Sequence, residues 1–263
     1  MPPIFIYFLY ALYIYFVLFY RYFNPKVRRL KRNIPGLLHQ YSVYYQNLNH
    51  KEQKHFRKRM LRFISLKRFY RFDKSKVTDE MKILIAKSAV QITFGFSDGH
   101  EYEVFRNIAI SDKEYRSHQT KNIHYGEANP SKSLIAFSWK KFMEGMANPH
   151  DSMNLGLHEF AHALFINNMK GYRNREFFKE IREWHTTIIK LKKERTIYDF
   201  FRCYAFKNNM EFFAVSIEYF FENPKAFHQQ LPELYAVMCR MLSQNPMLPN
   251  NGLARKIPFW WKF

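Results

Sequence analysis

Residues 154–165 read NLGLHEFAHALF. Apart from His158, Glu159 and His162, almost every side chain from Leu155 to Phe165 is apolar or small. A helix that is apolar around most of its circumference is a buried one. Asp151 or Ser152 stands where it would cap such a helix. His158 and His162 are four residues apart, so they project from one face, one turn from each other. Two neutral imidazoles at that separation both reach a tetrahedral Zn²⁺ at about 2.0–2.1 Å. Glu159 lies beside the first of them, where it can take a proton from water at the metal. The bland alternative is a pair of core histidines bonded to backbone carbonyls. It leaves Glu159 as an unpartnered carboxylate in an apolar helix, which is costly.

A catalytic zinc needs a third protein ligand and an open fourth position. The metzincin continuation requires Gly and then His downstream, and this chain has Phe165 and Asn168 there. A thermolysin-like ligand would fall near Glu180 or Glu183, but both lie in the charge-rich KEIREWH of a surface helix. Residues 204–224, YAFKNNMEFFAVSIEYFFENP, are a better source. They predict an aromatic helix ended by Pro224, with Glu211 and Glu218 seven apart on one face. Two acids on one apolar stripe call for an explanation, and a metal for one of them supplies it. Tyr204 lies seven before Glu211. If the helix reaches back that far, its phenol points at the same site and can donate to a developing oxyanion; core packing is the plain alternative.

Taken together, HEFAHAL, Y-x₆-EFFA and the following EYFF-x-x-P resemble the Mlc titration factor A family of zinc metallopeptidases, whose catalytic domain is similar to that of anthrax lethal factor. Residues 64–92, 137–145 and 151–164 add matching blocks in the expected order, so the resemblance covers about residues 55–242. It implies a gluzincin-type site with one Zn²⁺ per chain: His158, His162 and Glu211 as metal ligands, Glu159 as general base and Tyr204 as stabiliser of the transition state. Glu218 has no ligand role in the match and reads as a supporting or packing acid. The resemblance also implies aminopeptidase-like cleavage of small peptides, and a regulatory protein partner, since the founding member binds a transcriptional repressor. The chain departs from the pattern at Phe165, where the family often has Asp.

The formal charge of +20 is concentrated. Residues 21–72 hold fifteen Lys/Arg against one acid, Glu52. Before them, Ile4 to Tyr20 are 17 uncharged apolar or aromatic residues, about 26 Å as a helix. This predicts a retained membrane anchor over a signal peptide, which would want a basic start and an Ala-x-Ala site. An interfacial or buried helix is the third option. Arg21, Lys26, Arg28, Arg29, Lys31 and Arg32 follow the span directly, so the positive-inside rule predicts a single-pass protein with its catalytic domain in the cytoplasm. The run 51–71 would lie on anionic headgroups or form a solvated helix face. No DNA-binding module accompanies the charge, which disfavours nucleic acid as a partner.

The expected organisation is an anchor at 1–22, a basic juxtamembrane or helical linker at 23–54, a peptidase domain at 55–242 and a C-terminal tail at 243–263. Within it, 33–72 reads as helix broken at Pro35–Gly36, and Thr78 starts another helix. Strands are expected in 101–110, 121–126 and 133–139. The fold class is α+β, mostly helical: a zincin-like metallopeptidase domain with a small sheet, preceded by a transmembrane helix. Cys203 and Cys239 read as buried reduced thiols. The functional expectation is a membrane-anchored zinc peptidase acting on a peptide or protein substrate. The alternative is a zinc-stabilised binding module that captures a regulatory protein at the membrane without cleaving it.

Overall fold

The computed structural model describes residues 25–97, 100–116 and 123–253, with Tyr7, Leu9 and Leu12. The anchor expected at 1–22 lies outside the described residues but for those three. Among the described residues no helix is long and apolar enough to cross a membrane.

The elements follow as α1 (Pro25–Tyr41), α2 (Val43–Gln46), α3 (His50–Leu66), β1 (Arg68–Arg71), α4 (Asp79–Thr93), β2 (Asn107–Ser111), β3 (Tyr115–Arg116), β4 (Ile123–His124), β5 (Gly126–Asn129), β6 (Leu134–Ser138), α5 (Trp139–Ala147), α6 (Leu155–Met169), α7 (Arg175–Glu194), α8 (Asn209–Glu222), α9 (Pro224–Gln230) and α10 (Pro232–Leu242). The main sheet has the order β1-β2-β6-β5. Its first three strands are parallel, and β5 runs antiparallel to β6 at the edge. The architecture is mostly helical α+β with a small sheet, as the sequence predicts.

Helix α4 starts at its Thr78 cap, whose side chain accepts from Met81 N, and is buried along almost its whole length. It packs against α1, α3 and α6. Gly156 permits the close approach of α6, since a Cβ there would come within 2.6 Å of Ser88 Oγ and 2.7 Å of Phe142. Helix α6 in turn lies against α8, β5 and β6, which accounts for its all-round apolar surface.

Several local expectations differ from the structure. Pro35 and Gly36 sit inside α1, which runs on to Tyr41; the break comes at Ser42, whose side chain caps α2. Leu30, Ile34, Leu38, Tyr44, Tyr45 and Leu48, within the stretch expected as a linker, all join the main core. RFYR at 68–71 leaves the helix and forms the edge strand β1. Only the end of the strand expected at 101–110 is extended. Its first half curls around the Lys67 ammonium, which donates to the carbonyls of Glu101, Tyr102 and Phe105 at 2.5, 2.9 and 2.6 Å. In the expected tail, Gln244 is buried and donates to the carbonyls of Gln91 and Ile92, while Asn251 donates to that of Tyr44 at 3.0 Å. Both cysteines are free, and Cys203 is exposed rather than buried.

Candidate metal centre

The N-cap of α6 is Asn154, not Asp151 or Ser152; its side chain accepts from Leu157 N at 3.0 Å. From that start, His158 and His162 project from one face of the helix, and their Nε2 atoms are 3.1 Å apart. Glu211 comes from the first turn of α8, where Asn208 caps the helix and accepts from Glu211 N at 2.9 Å. Its Oε2 lies 3.1 Å from His158 Nε2 and 3.1 Å from His162 Nε2. The three donor atoms form a nearly equilateral triangle.

Two nitrogens and a carboxylate oxygen at these spacings direct three lone pairs at one point. Neighbouring ligand atoms around a tetrahedral zinc stand about 3.3–3.4 Å apart, by the geometry of about 2.0–2.1 Å bonds. With only protein present, protons must hold the cluster together. Burial opposes a charge on His158, but Glu218 and Glu211 push it up to about 10. Burial would likewise raise Glu211, yet hydrogen bonds from His158 and His162 hold its carboxyl far below the usual range. A divalent cation would replace those protons. Among the described residues this is the group of His, Cys, Asp and Glu side chains arranged to hold a metal.

Glu218 sits behind His158. Its Oε2 accepts from His158 Nδ1 at 3.0 Å and from Arg202 Nη2, and its Oε1 accepts from Asn154 N at 2.8 Å. A carboxylate only accepts, so Nδ1 carries the hydrogen and Nε2 is left to face the cluster. Among the described residues His162 Nδ1 has no partner. Phe165 packs against the rings of Phe177, Trp184 and Phe213.

Glu159 is buried against β5: a Cβ on Gly126 would come within 2.4 Å of its Oε1. Among the described residues its Oε2 has no partner, and burial raises its pKa. Tyr204 is reached by a different route from the one expected. The helix does not extend back to it; it lies on a separate 3-10 turn, Cys203–Lys207, and is 48% exposed. Even so its hydroxyl donates to Glu211 Oε1 at 3.0 Å. Glu180 and Glu183 of α7 pair with Arg240 of α10.

Sequence reasoning missed Asn154, Arg202 and Gly126. Only Asn154 left a local signal, as a strong capping residue directly before the apolar run.

The sequence model of the glucose-regulated metallo-peptidase M90 family matches residues 23–242. The chain belongs to this family. M90 is the Mlc titration factor A family that the motifs resemble, and the match begins earlier than the motifs do, taking in α1 to α3. No curated protein matches the chain. M90 proteins are metallopeptidases, which implies a metal and a peptide or protein substrate. The His158–His162–Glu211 triangle fits that metal in number, spacing and chemistry of donors.

Proposed function

We propose that the chain is a zinc peptidase of gluzincin type with aminopeptidase-like activity, tethered to a membrane by its N-terminal segment. His158, His162 and Glu211 would hold one Zn²⁺, which when bound supplies Lewis acidity toward water and the scissile carbonyl. Glu159 takes the proton of the attacking water and returns it to the leaving amine. Burial and the missing partner on Oε2 suit it to that shuttle. Tyr204 can turn its hydroxyl from Glu211 Oε1 to the developing oxyanion, and its exposure leaves room for that swing. Glu218 keeps the His158 proton on Nδ1 throughout.

The observation that carries this reading is the 3.1 Å triangle of ligand atoms with Glu159 next to it on the same helix. The test is Glu159→Gln. It should retain the metal and lose nearly all peptide hydrolysis; full activity in that variant would overturn the mechanism.

Membrane attachment rests on the uncharged run 4–20 and the basic cluster behind it. Tyr7, Leu9 and Leu12, the described residues of that run, are exposed large side chains. The orientation follows from the same cluster, with the peptidase on the cytoplasmic side. Alkaline carbonate extraction of the whole chain should leave it in the membrane pellet, and release into the supernatant would remove the anchor from the proposal.

A further inference from the structure

Arg202 opens the 3-10 turn Cys203–Lys207 that carries Tyr204. Its guanidinium donates at both ends: Nη1 to the carbonyl of Ser152 and Nη2 to Glu218 Oε2. The two acceptors stand on different segments, Ser152 in the loop that leads into α6 and Glu218 on α8. The fork of an arginine can serve such a pair, whereas a lysine offers a single nitrogen. Ser152 is buried and holds a left-handed backbone, φ 56°. A non-glycine residue keeps that conformation only where its surroundings fix it, and the bond from Nη1 is one such constraint. One side chain thus ties the turn of Tyr204, the approach to the histidine helix and the helix of Glu211.

Glu218 is the acid through which this tie reaches the ligand triangle. Its side chain is 3% exposed, and it accepts from Asn154 N at 2.8 Å, from His158 Nδ1 at 3.0 Å and from Arg202 Nη2. Asn154 N is a neutral amide, and a histidine that ligates a metal is a neutral imidazole. Among the described residues, Arg202 is the Lys or Arg that pairs with this buried carboxylate. Taking the cation from a buried pair leaves an uncompensated charge, which is strongly unfavourable. Glu218 would be drawn toward water and away from Nδ1, and the imidazole would lose the contact that fixes its ring.

We propose that Arg202 is a positioning residue of the metal centre: it holds Glu218 against His158 and so sets zinc affinity without touching the metal. The inference rests on the zinc reading above and adds to it a residue from outside the two helices that supply the ligands.

The test is a double-mutant cycle on zinc affinity, measured by chelator competition on the whole chain in detergent. Arg202→Gln should bind zinc about tenfold more weakly than the parent, the low end of what loss of an outer partner costs. In a Glu218→Gln background the same substitution should cost nothing further, within about twofold. With Co²⁺ in place of zinc, Arg202→Gln and Glu218→Gln should shift the visible absorption bands in the same sense, since both release the same imidazole. An arginine that only supports the fold would cost affinity equally in both backgrounds and leave the cobalt bands where the parent has them. That result, or an unchanged affinity in Arg202→Gln, would overturn the proposal. Arg202→Lys is milder on the fold and carries the test if Arg202→Gln does not fold. It keeps a cation within reach of Oε2, so its cobalt bands should stay those of the parent; bands moved to those of Glu218→Gln would overturn the role of the cation. A parent chain with no zinc affinity would sink the zinc reading and this inference together, whereas a zinc-binding parent with an additive cycle would sink the inference alone. Neither readout depends on peptide hydrolysis.

Discussion

Glu218 Oε2 lies 3.0 Å from His158 Nδ1 and is itself held by Arg202. It is the carboxylate that orients a candidate metal ligand in this chain, because His162 Nδ1 has no counterpart among the described residues. Glu218→Gln should therefore weaken zinc binding about 10–100-fold, the usual effect of losing such a partner. Equilibrium dialysis against graded zinc would measure it, and an unchanged affinity would make Glu218 a packing acid.

Zinc uptake should release a proton. In the metal-free chain His158 is held charged up to about 10 by Glu218 and Glu211 in spite of burial. At pH 7 the metal must therefore displace that proton, and apparent affinity should fall about tenfold for each unit the pH drops. Calorimetry in buffers of different ionisation enthalpy counts the protons; a count of zero would contradict the arrangement.

Tyr204→Phe removes the hydroxyl and nothing of the ring. Loss of one oxyanion donor lowers kcat by about 10²–10³, while the zinc content should stay near one per chain. A variant with normal kcat would leave Tyr204 only its hydrogen bond to Glu211.

Gly126→Ala tests how Glu159 is held. The added Cβ would meet Glu159 Oε1, Cγ and Cδ at 2.4, 2.6 and 2.7 Å. The carboxylate must move, so hydrolysis should fall at least tenfold with metal content and fold retained. Circular dichroism and zinc analysis on the same sample separate this from unfolding.

His100 should make the metal-free fold acid-sensitive. Burial lowers its pKa below the ordinary 6.5, against the pull of Glu103. Between the folded value and 6.5 the unfolded chain binds more protons than the folded one, so this contribution is complete above 6.5 and fades as pH falls. His100→Gln, which still accepts from Asn167, should show a shallower loss of Tm between pH 7 and 5 than the parent chain.

Much of the candidate site was legible because its spacings are short. His158, Glu159 and His162 share two turns of one helix, and seven residues relate Tyr204, Glu211 and Glu218. Tyr204 was reached through the resemblance of its motif, whereas the continuous helix assumed for its spacing is absent. What escaped depends on contacts remote in sequence. Arg202 reaches Glu218 only after the chain turns before α8, and Gly126 meets Glu159 only once β5 docks on α6. Lys67 collects three carbonyls from a stretch that alternates like a strand, so its own pattern misled. The interior position of Pro35 follows from tertiary burial of Leu30, Ile34 and Leu38, which outweighs a local breaker.

Helix α1 is laid along the body, with three buried side chains on one face and Arg29 paired to Asp79 at 2.6 Å. Whatever the preceding residues attach to, force and orientation pass into the domain through a stiff rod about 25 Å long. A load applied at Pro25 is thereby passed to α4, against which α1 packs, and from α4 to the helix that carries both histidines.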